Sequence, residues 1–468
     1  MTLITGLFKI KIYSYLLGPE GFGLISQLIN LNIFINFLCT LGIPIGLIRL
    51  ISEWESEGKW DYINSILKNI FFLLVIVSIT LFIFTFIFSS QISNVLYSDN
   101  SYSSLIVLFS FSIPLTIIFS LFDSYVRGIK KFNIYVKVSV ISSISTTLIS
   151  IFLVSKYGVE GVALSFVFTS ILPIIFYSIY LTKSKLLQFK NIFATHYVDH
   201  RNSYKLIFGL GVGSLIIGLA DYSSIIFVRS FIIKELGLQD NGIYQVIYSI
   251  STNYLGVFFL VASVYTLPIL SEIKSNELFN AEINNFLRIV VIVVTPIIII
   301  LFSFRGFIVQ ILFSKEFYDS TKYFTFYFVG DYAKLVGTVL GLWLVPRHKV
   351  KALCSINFVY NISFVVIFYF LLKSNWGLYS AVIGYMMASI FFFAANYFYF
   401  NKRNKFSFNK INLRTLVCSV SVILVVMVIA TFYEIVGFYV AIIGIIAFMS
   451  LTITKKEFLE MKQVLKNV

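Results

Sequence analysis

Charge is what this 468-residue chain has least of: Asp, Glu, Lys and Arg together make up 12% of it. A soluble globular protein carries about a quarter. So few charges cannot furnish a water-facing surface, which excludes an ordinary soluble fold. Cysteine is also scarce, and Cys39, Cys354 and Cys418 stand far apart inside apolar runs. That spacing offers no disulfide framework and no CxxC site, so small buried hydrophobes are the expected role. His196 and His200 lie at i, i+4 in a polar connection, and His348 stands alone among basic residues. None has the further ligands a zinc site needs, and no metal is expected. GxxxxGKS/T and GxSxG are both missing, so neither an ATPase nor an α/β-hydrolase is supported. No small-residue cleavage site follows the first apolar run, so no removable signal peptide is expected.

What is present is hydrocarbon. Hydrophobic residues make up 59% of the chain and the mean hydropathy is +0.92. A core cannot absorb that surplus, so lipid must be the solvent, and a spanning helix needs about 20 apolar residues. Runs of that kind predict an all-α polytopic membrane protein with spans near 2–17, 24–48, 67–90, 104–126, 133–154, 161–182, 206–229, 243–268, 287–304, 323–345, 354–372, 378–400, 415–433 and 438–454. Barrel strands alternate apolar and polar residues, whereas "FFLLVIVSITLFIFTFIF" from Phe71 is continuous, which argues helix.

The net charge of +15 has an explanation other than nucleic acid. Lys and Arg favour the cytoplasmic side. The even-numbered connections and the C-terminal tail hold 26 of the 36 basic residues, and the odd connections hold seven. Both termini are therefore expected in the cytoplasm of a cell-membrane protein, with the "LLGPEGFG" bend at Leu16 on the outside.

That bend has an echo, "ELGLQDNG" from Glu235. Gly18 and Gly237 are 219 residues apart, and the same separation links Gly23 with Gly242, Glu53 with Glu272, and Gly158 with Gly377. The chain thus reads as two parallel six-helix repeats, 1–183 and 206–400. A cytoplasmic linker, 184–205, joins them, and a two-helix extension with a cytoplasmic tail fills 401–468. Parallel repeats are common in transporters, whose binding site lies between the halves. Glycines at the bend permit a tight reversal, an architectural role.

The stretch "YSYLLGPEGFGLISQ", its echo "NGIYQ", the Pro44, Arg49, Ser52, Glu53 pattern closing helix 2 and "PILSE" from Pro268 closing helix 8 together resemble one family. So does the "LF…Y" segment before helix 10. The chain resembles the polysaccharide (O-antigen) flippases of the multidrug/oligosaccharidyl-lipid/polysaccharide exporter superfamily along essentially its whole length. That resemblance implies a transporter, not an enzyme. It would carry polyprenyl-pyrophosphate-linked oligosaccharide from the cytoplasmic to the outer leaflet by alternating access, in company with polysaccharide assembly proteins. Many relatives have twelve helices, so the last two are an addition.

Such a substrate needs cations for pyrophosphate and amides or hydroxyls for sugar. Ionisable groups within spans are costly and mark function by default. Lys9, near the middle of helix 1, and Lys334 are phosphate candidates; a different placement of Lys9 competes evenly. Arg49 closes helix 2 and could meet phosphate bidentately on entry. Gln245, Ser249 and Asn253, at i, i+4, i+8, form a stripe suited to sugar hydroxyls, with interhelical bonding as the alternative. Asp221 and Asp331 are candidates for a coupling H+ or Na+. Asp331 and Lys334 share a face at i, i+3, so simple mutual neutralisation competes with function. Snorkelling accounts for Lys11, Asp123, Arg127 and Arg229. Two other readings remain: a multidrug antiporter of the same superfamily, favouring acidic cavities, and a membrane polymerase, which the short outer connections disfavour.

Overall fold

The computed structural model describes residues 2–184, 201–256 and 266–452, and within them every regular element is helical. In chain order these include α1 (Thr2–Thr40), α2 (Ile43–Ser56), α3 (Trp60–Ile87), α4 (Ser89–Tyr97), α5 (Ser103–Ser110), α6 (Ser112–Gly128) and α7 (Phe132–Lys183). Then come α8 (Arg201–Leu236), α9 (Leu238–Ile250), α10 (Asn276–Ser303), α11 (Arg305–Leu312), α12 (Phe324–Gly341), α13 (Val350–Lys373) and α14 (Tyr379–Asn404). The extension is α15 (Lys410–Phe432) and α16 (Glu434–Thr452).

Nine helices among the described residues are long and apolar enough to cross a membrane, which makes this a multi-pass membrane protein. Two of them each cover two expected spans, with the join at a glycine. Gly18 breaks α1 at φ 62°, and Gly158 breaks α7 at φ 58°. Their partners in the repeat, Gly237 and Gly377, also have positive φ. A side chain is strained there, so the glycines of both these 219-residue pairs share a positive φ as well as an identity. Expected span 243–268 lies partly outside the described residues, and 438–454 matches a shorter helix, so fourteen spans stays an expectation.

Contacts divide the chain into two compact units, Met1–Gln245 with Leu312–Glu316, and Val246–Ile311 with Phe317–Val468. In the first, α1 packs on α7 and α8, α2 on α6 and α8, and α4 on α8. Its core runs through Leu24, Leu28, Leu47, Ile66, Phe109 and Val126. Phe313 belongs to the same unit, buried edge-on against Phe22 with ring centroids 5.8 Å apart. In the second unit α12 packs on α14, and α14 on α13. The extension is bonded to α10 and α11: Asn412 Nδ2 donates to Asn284 Oδ1 at 2.9 Å, and Arg305 donates to the Ala430 carbonyl at 3.0 Å. Cys39 is buried as expected, while Cys354 and Cys418 are half-buried, and all three are free thiols.

Candidate functional site

In the second unit the site is built by helix packing. Gly330 and Gly337 lie seven residues apart on one face of α12. A Cβ on Gly330 would come within 2.9 Å of the Tyr385 ring, and one on Gly337 within 2.9 Å of Phe392. Small residues let two helices approach closely in lipid. The approach brings the Tyr385 hydroxyl from α14 to Asp331 on α12.

Asp331 is 4% exposed, and its Oδ1 accepts from Tyr385 at 2.7 Å and from Ser251 Oγ at 2.8 Å. Its Oδ2 is buried with no hydrogen-bond partner. Ser251 begins a π-helical stretch, Ser251–Leu255, which continues α9. Such wide turns recur at functional sites.

Lys334, one turn along α12, is half-buried. Its Nζ donates to Tyr360 at 3.1 Å and lies 4.6 Å from the Tyr360 ring and 5.5 Å from the Tyr385 ring. Tyr385 in turn stacks on Tyr327 at 4.3 Å. The hydrogen bonds of Asp331 thus come from neutral hydroxyls, and the ammonium rests on aromatic faces, which attract cations. Both charges meet at Tyr385, which the sequence did not single out.

The stripe on α9 is altered. Gln245 and Ser249 keep the α-helical period, but the π turn changes the register before Asn253. Ser249 is buried and Asn253 half-buried.

In the first unit the largest correction concerns Arg229. It was expected at a helix end, snorkelling to water. The helix instead runs on to Leu236, leaving Arg229 about two turns inside and 0% exposed. Its guanidinium donates to Ser26 Oγ at 2.8 Å, Asn241 Oδ1 at 3.3 Å and Gln245 Oε1 at 2.5 Å, and lies 5.0 Å from the Tyr244 ring. Asn241 also donates to the Gly23 carbonyl at 2.7 Å, and Gln27 to Ser230 at 2.9 Å. The scattered amides and hydroxyls in these apolar runs were the available signal.

The remaining candidates are spread through this unit. Lys9 is half-buried, its Nζ 5.3 Å from the Tyr13 ring. Lys11 does not snorkel: it is half-buried and donates to the Phe313 carbonyl at 2.5 Å. Arg49 is exposed on α2, and Asp221 is half-buried on α8. Asp123 accepts from Tyr177 at 3.1 Å and pairs with Arg127 at 3.4 Å. His196 and His200 lie outside the described residues, and His348 is exposed. Among the described residues no group of three His, Cys, Asp or Glu side chains could hold a metal ion.

Comparison with known proteins follows the same lines. The chain is similar in structure to the lipid II flippase MurJ in an inward closed conformation, with a TM-score of 0.68 at 17% identity over 96% of both chains. It is also similar to an inward-facing multidrug resistance MATE transporter of the MOP superfamily, with a TM-score of 0.68 at 12% identity over 86% of this chain and 95% of the other. At these identities the likeness is one of fold. In sequence, 126 residues are 26% identical to the lipid III flippases of Escherichia coli (strain K12) and Shigella flexneri, 27% of this chain and 30% of each relative's length. The sequence model described as "Polysaccharide biosynthesis protein" matches residues 2–274, more than half of the chain, and the chain belongs to that family.

Proposed function

We propose that this protein is a flippase that carries a polyprenyl-pyrophosphate-linked oligosaccharide from the cytoplasmic to the outer leaflet. Transport, not bond-making, is its work. The carrying observation is the pairing of Asp331, with one buried unpartnered oxygen, and the aromatic-caged Lys334 on adjacent turns of one apolar helix. Ionisable groups are retained in spans where they handle ions or substrates. In this reading Lys334 meets the pyrophosphate, and Lys9 and Arg49 are further phosphate contacts. Ser249, Asn253 and Gln245 meet sugar hydroxyls, Gln245 once it leaves Arg229. Asp331 takes up the coupling H+ or Na+, with Asp221 as the other candidate.

The two six-helix repeats, 1–183 and 206–400, alternate access to the site. The excess of basic residues on one side supports a cell-membrane protein with both termini in the cytoplasm, where polysaccharide assembly proteins would be its partners. A multidrug antiporter is the second reading, favoured by the buried acid at Asp331 and by the MATE-like fold.

Gene deletion separates them. A flippase deletion stops surface glycan while lipid-linked oligosaccharide accumulates on the cytoplasmic leaflet. Intact surface glycan with heightened drug sensitivity would replace this reading with the antiporter.

A further inference from the structure

The glycines of the repeated bend do more than turn the chain. A Cβ on Gly23 would overlap the Leu238 carbonyl, and one on Gly242 would overlap the Pro19 carbonyl. Pro19 and Leu238, like Gly23 and Gly242, are 219 residues apart. The contact is therefore reciprocal between equivalent positions of the two repeats, backbone against backbone. Farther along the same pair of segments, Gly42 meets Gly211. A Cβ on Gly211 would stand 2.6 Å from the Gly42 carbonyl, and one on Gly42 2.8 Å from the Gly211 Cα. Segment 19–42 thus lies along α8 and the start of α9 with a glycine pair at each end.

Between these ends apolar contacts, such as Phe37 on Tyr222 with ring centroids 5.5 Å apart, alternate with unsatisfied polar atoms. Gln27 Oε1 and Asn30 Nδ2 are buried without a protein partner, whereas buried polar groups in settled interiors are nearly all bonded. Near the Gly23 end, Arg229 bonds at once to Ser26 and Gln245, which are again 219 apart. One guanidinium therefore clasps equivalent positions of both repeats.

We propose that this seam is a two-ended gate: Gly23–Gly242 closes its outer end, Gly42–Gly211 its inner end, and Arg229 is the positioning residue that latches the outer one. The inference rests on the transport function and orientation proposed above. At the two ends bare backbone contacts suit a gate, because re-closing them needs no side-chain repacking. Parting the outer end takes Arg229 off Ser26, and opens Gln27 and Asn30 to water or to substrate hydroxyls.

A single cysteine in the middle of the seam tests this from both sides. Asn30→Cys is made with Cys39, Cys354 and Cys418 replaced, and an impermeant methanethiosulfonate is added to intact cells or to inside-out vesicles. Asn30 is 3% exposed, so the parent should label slowly from either side. Gly242→Ala overpacks the outer contact and should raise labelling from outside about tenfold, with no rise from inside. Arg229→Gln should act in the same direction. Gly211→Ala should raise labelling from inside only. Unchanged rates in both glycine variants, or rates raised from both sides alike, would overturn the gate. One-sided rates with the two sides exchanged would keep the gate and overturn the orientation. A further arm locks the seam instead of loosening it: an oxidised Ser26→Cys, Asn241→Cys cross-link, between side chains that already touch at 3.1 Å, should stop glycan export, and reduction should restore it. Export through the cross-linked protein would also overturn the proposal.

Discussion

Tyr385 donates its hydroxyl to Asp331 at 2.7 Å while its ring lies 5.5 Å from the Lys334 ammonium. One side chain on α14 therefore touches both charges of α12. The two contacts use different parts of it, so they can be separated by substitution.

Tyr385→Phe keeps the ring beneath Lys334 and removes the donor to Asp331. A hydrogen bond to a charged acceptor is worth about 1.5–3 kcal/mol, or roughly ten- to a hundredfold in affinity. The expected outcome is a matching change in the ion dependence of transport, read as flipping of labelled lipid-linked oligosaccharide in proteoliposomes across Na+ and pH. If the ion dependence stays that of the parent, Asp331 is not the coupling site.

Lys334 and Asp331 can be parted from each other in the same way. If Lys334 meets the pyrophosphate, Lys334→Gln impairs export even with Asp331→Asn present, because removing the acid returns no cation for phosphate. The loss should again be roughly ten- to a hundredfold, measured as glycan export at matched protein levels. A fully active double variant would reduce Lys334 to a counter-ion and leave Lys9 and Arg49 as phosphate contacts.

Orientation is open to direct labelling. With the native cysteines replaced, Ser98→Cys and Lys315→Cys should react with an impermeant thiol reagent outside intact cells. Ser407→Cys should not. All three positions are exposed, so silence reflects sidedness and not burial. Labelling at Ser407 would invert the topology.

Packing of α12 on α14 predicts a stability difference. Gly337→Leu forces a side chain into Phe392 and Phe393 and should destabilise by about 1–3 kcal/mol. Gly6, with nothing within 4 Å of its Cβ position, should tolerate alanine and gain up to about 1 kcal/mol from helix propensity. Thermal unfolding of the detergent-solubilised protein compares the two. Equal melting temperatures would mean that the glycine face of α12 does not set the helix approach.

The membrane environment, the helical class and the paired glycines at 219-residue spacing could all be read from the letters. Composition alone demands lipid as solvent; in lipid the backbone must satisfy itself within helices or a closed barrel, and the continuous apolar runs select helices. The 219-residue spacing of Gly18 with Gly237 and Gly158 with Gly377 survives in the sequence because both copies need a backbone conformation that glycine adopts without strain. Arg229 shows where such reading stops. A charge at the edge of an apolar run looks the same whether the helix ends there or continues to Leu236, and hydropathy favours the first.

Only the tertiary structure decided which polar groups face one another. That depends on how each helix is rotated about its axis and on which glycines let helices approach. Neither property is local to a run of residues. Hence the meeting of Asp331 and Lys334 at Tyr385, and the reciprocal fit of Gly23 to Leu238 and Gly242 to Pro19, appear only once the helices are packed.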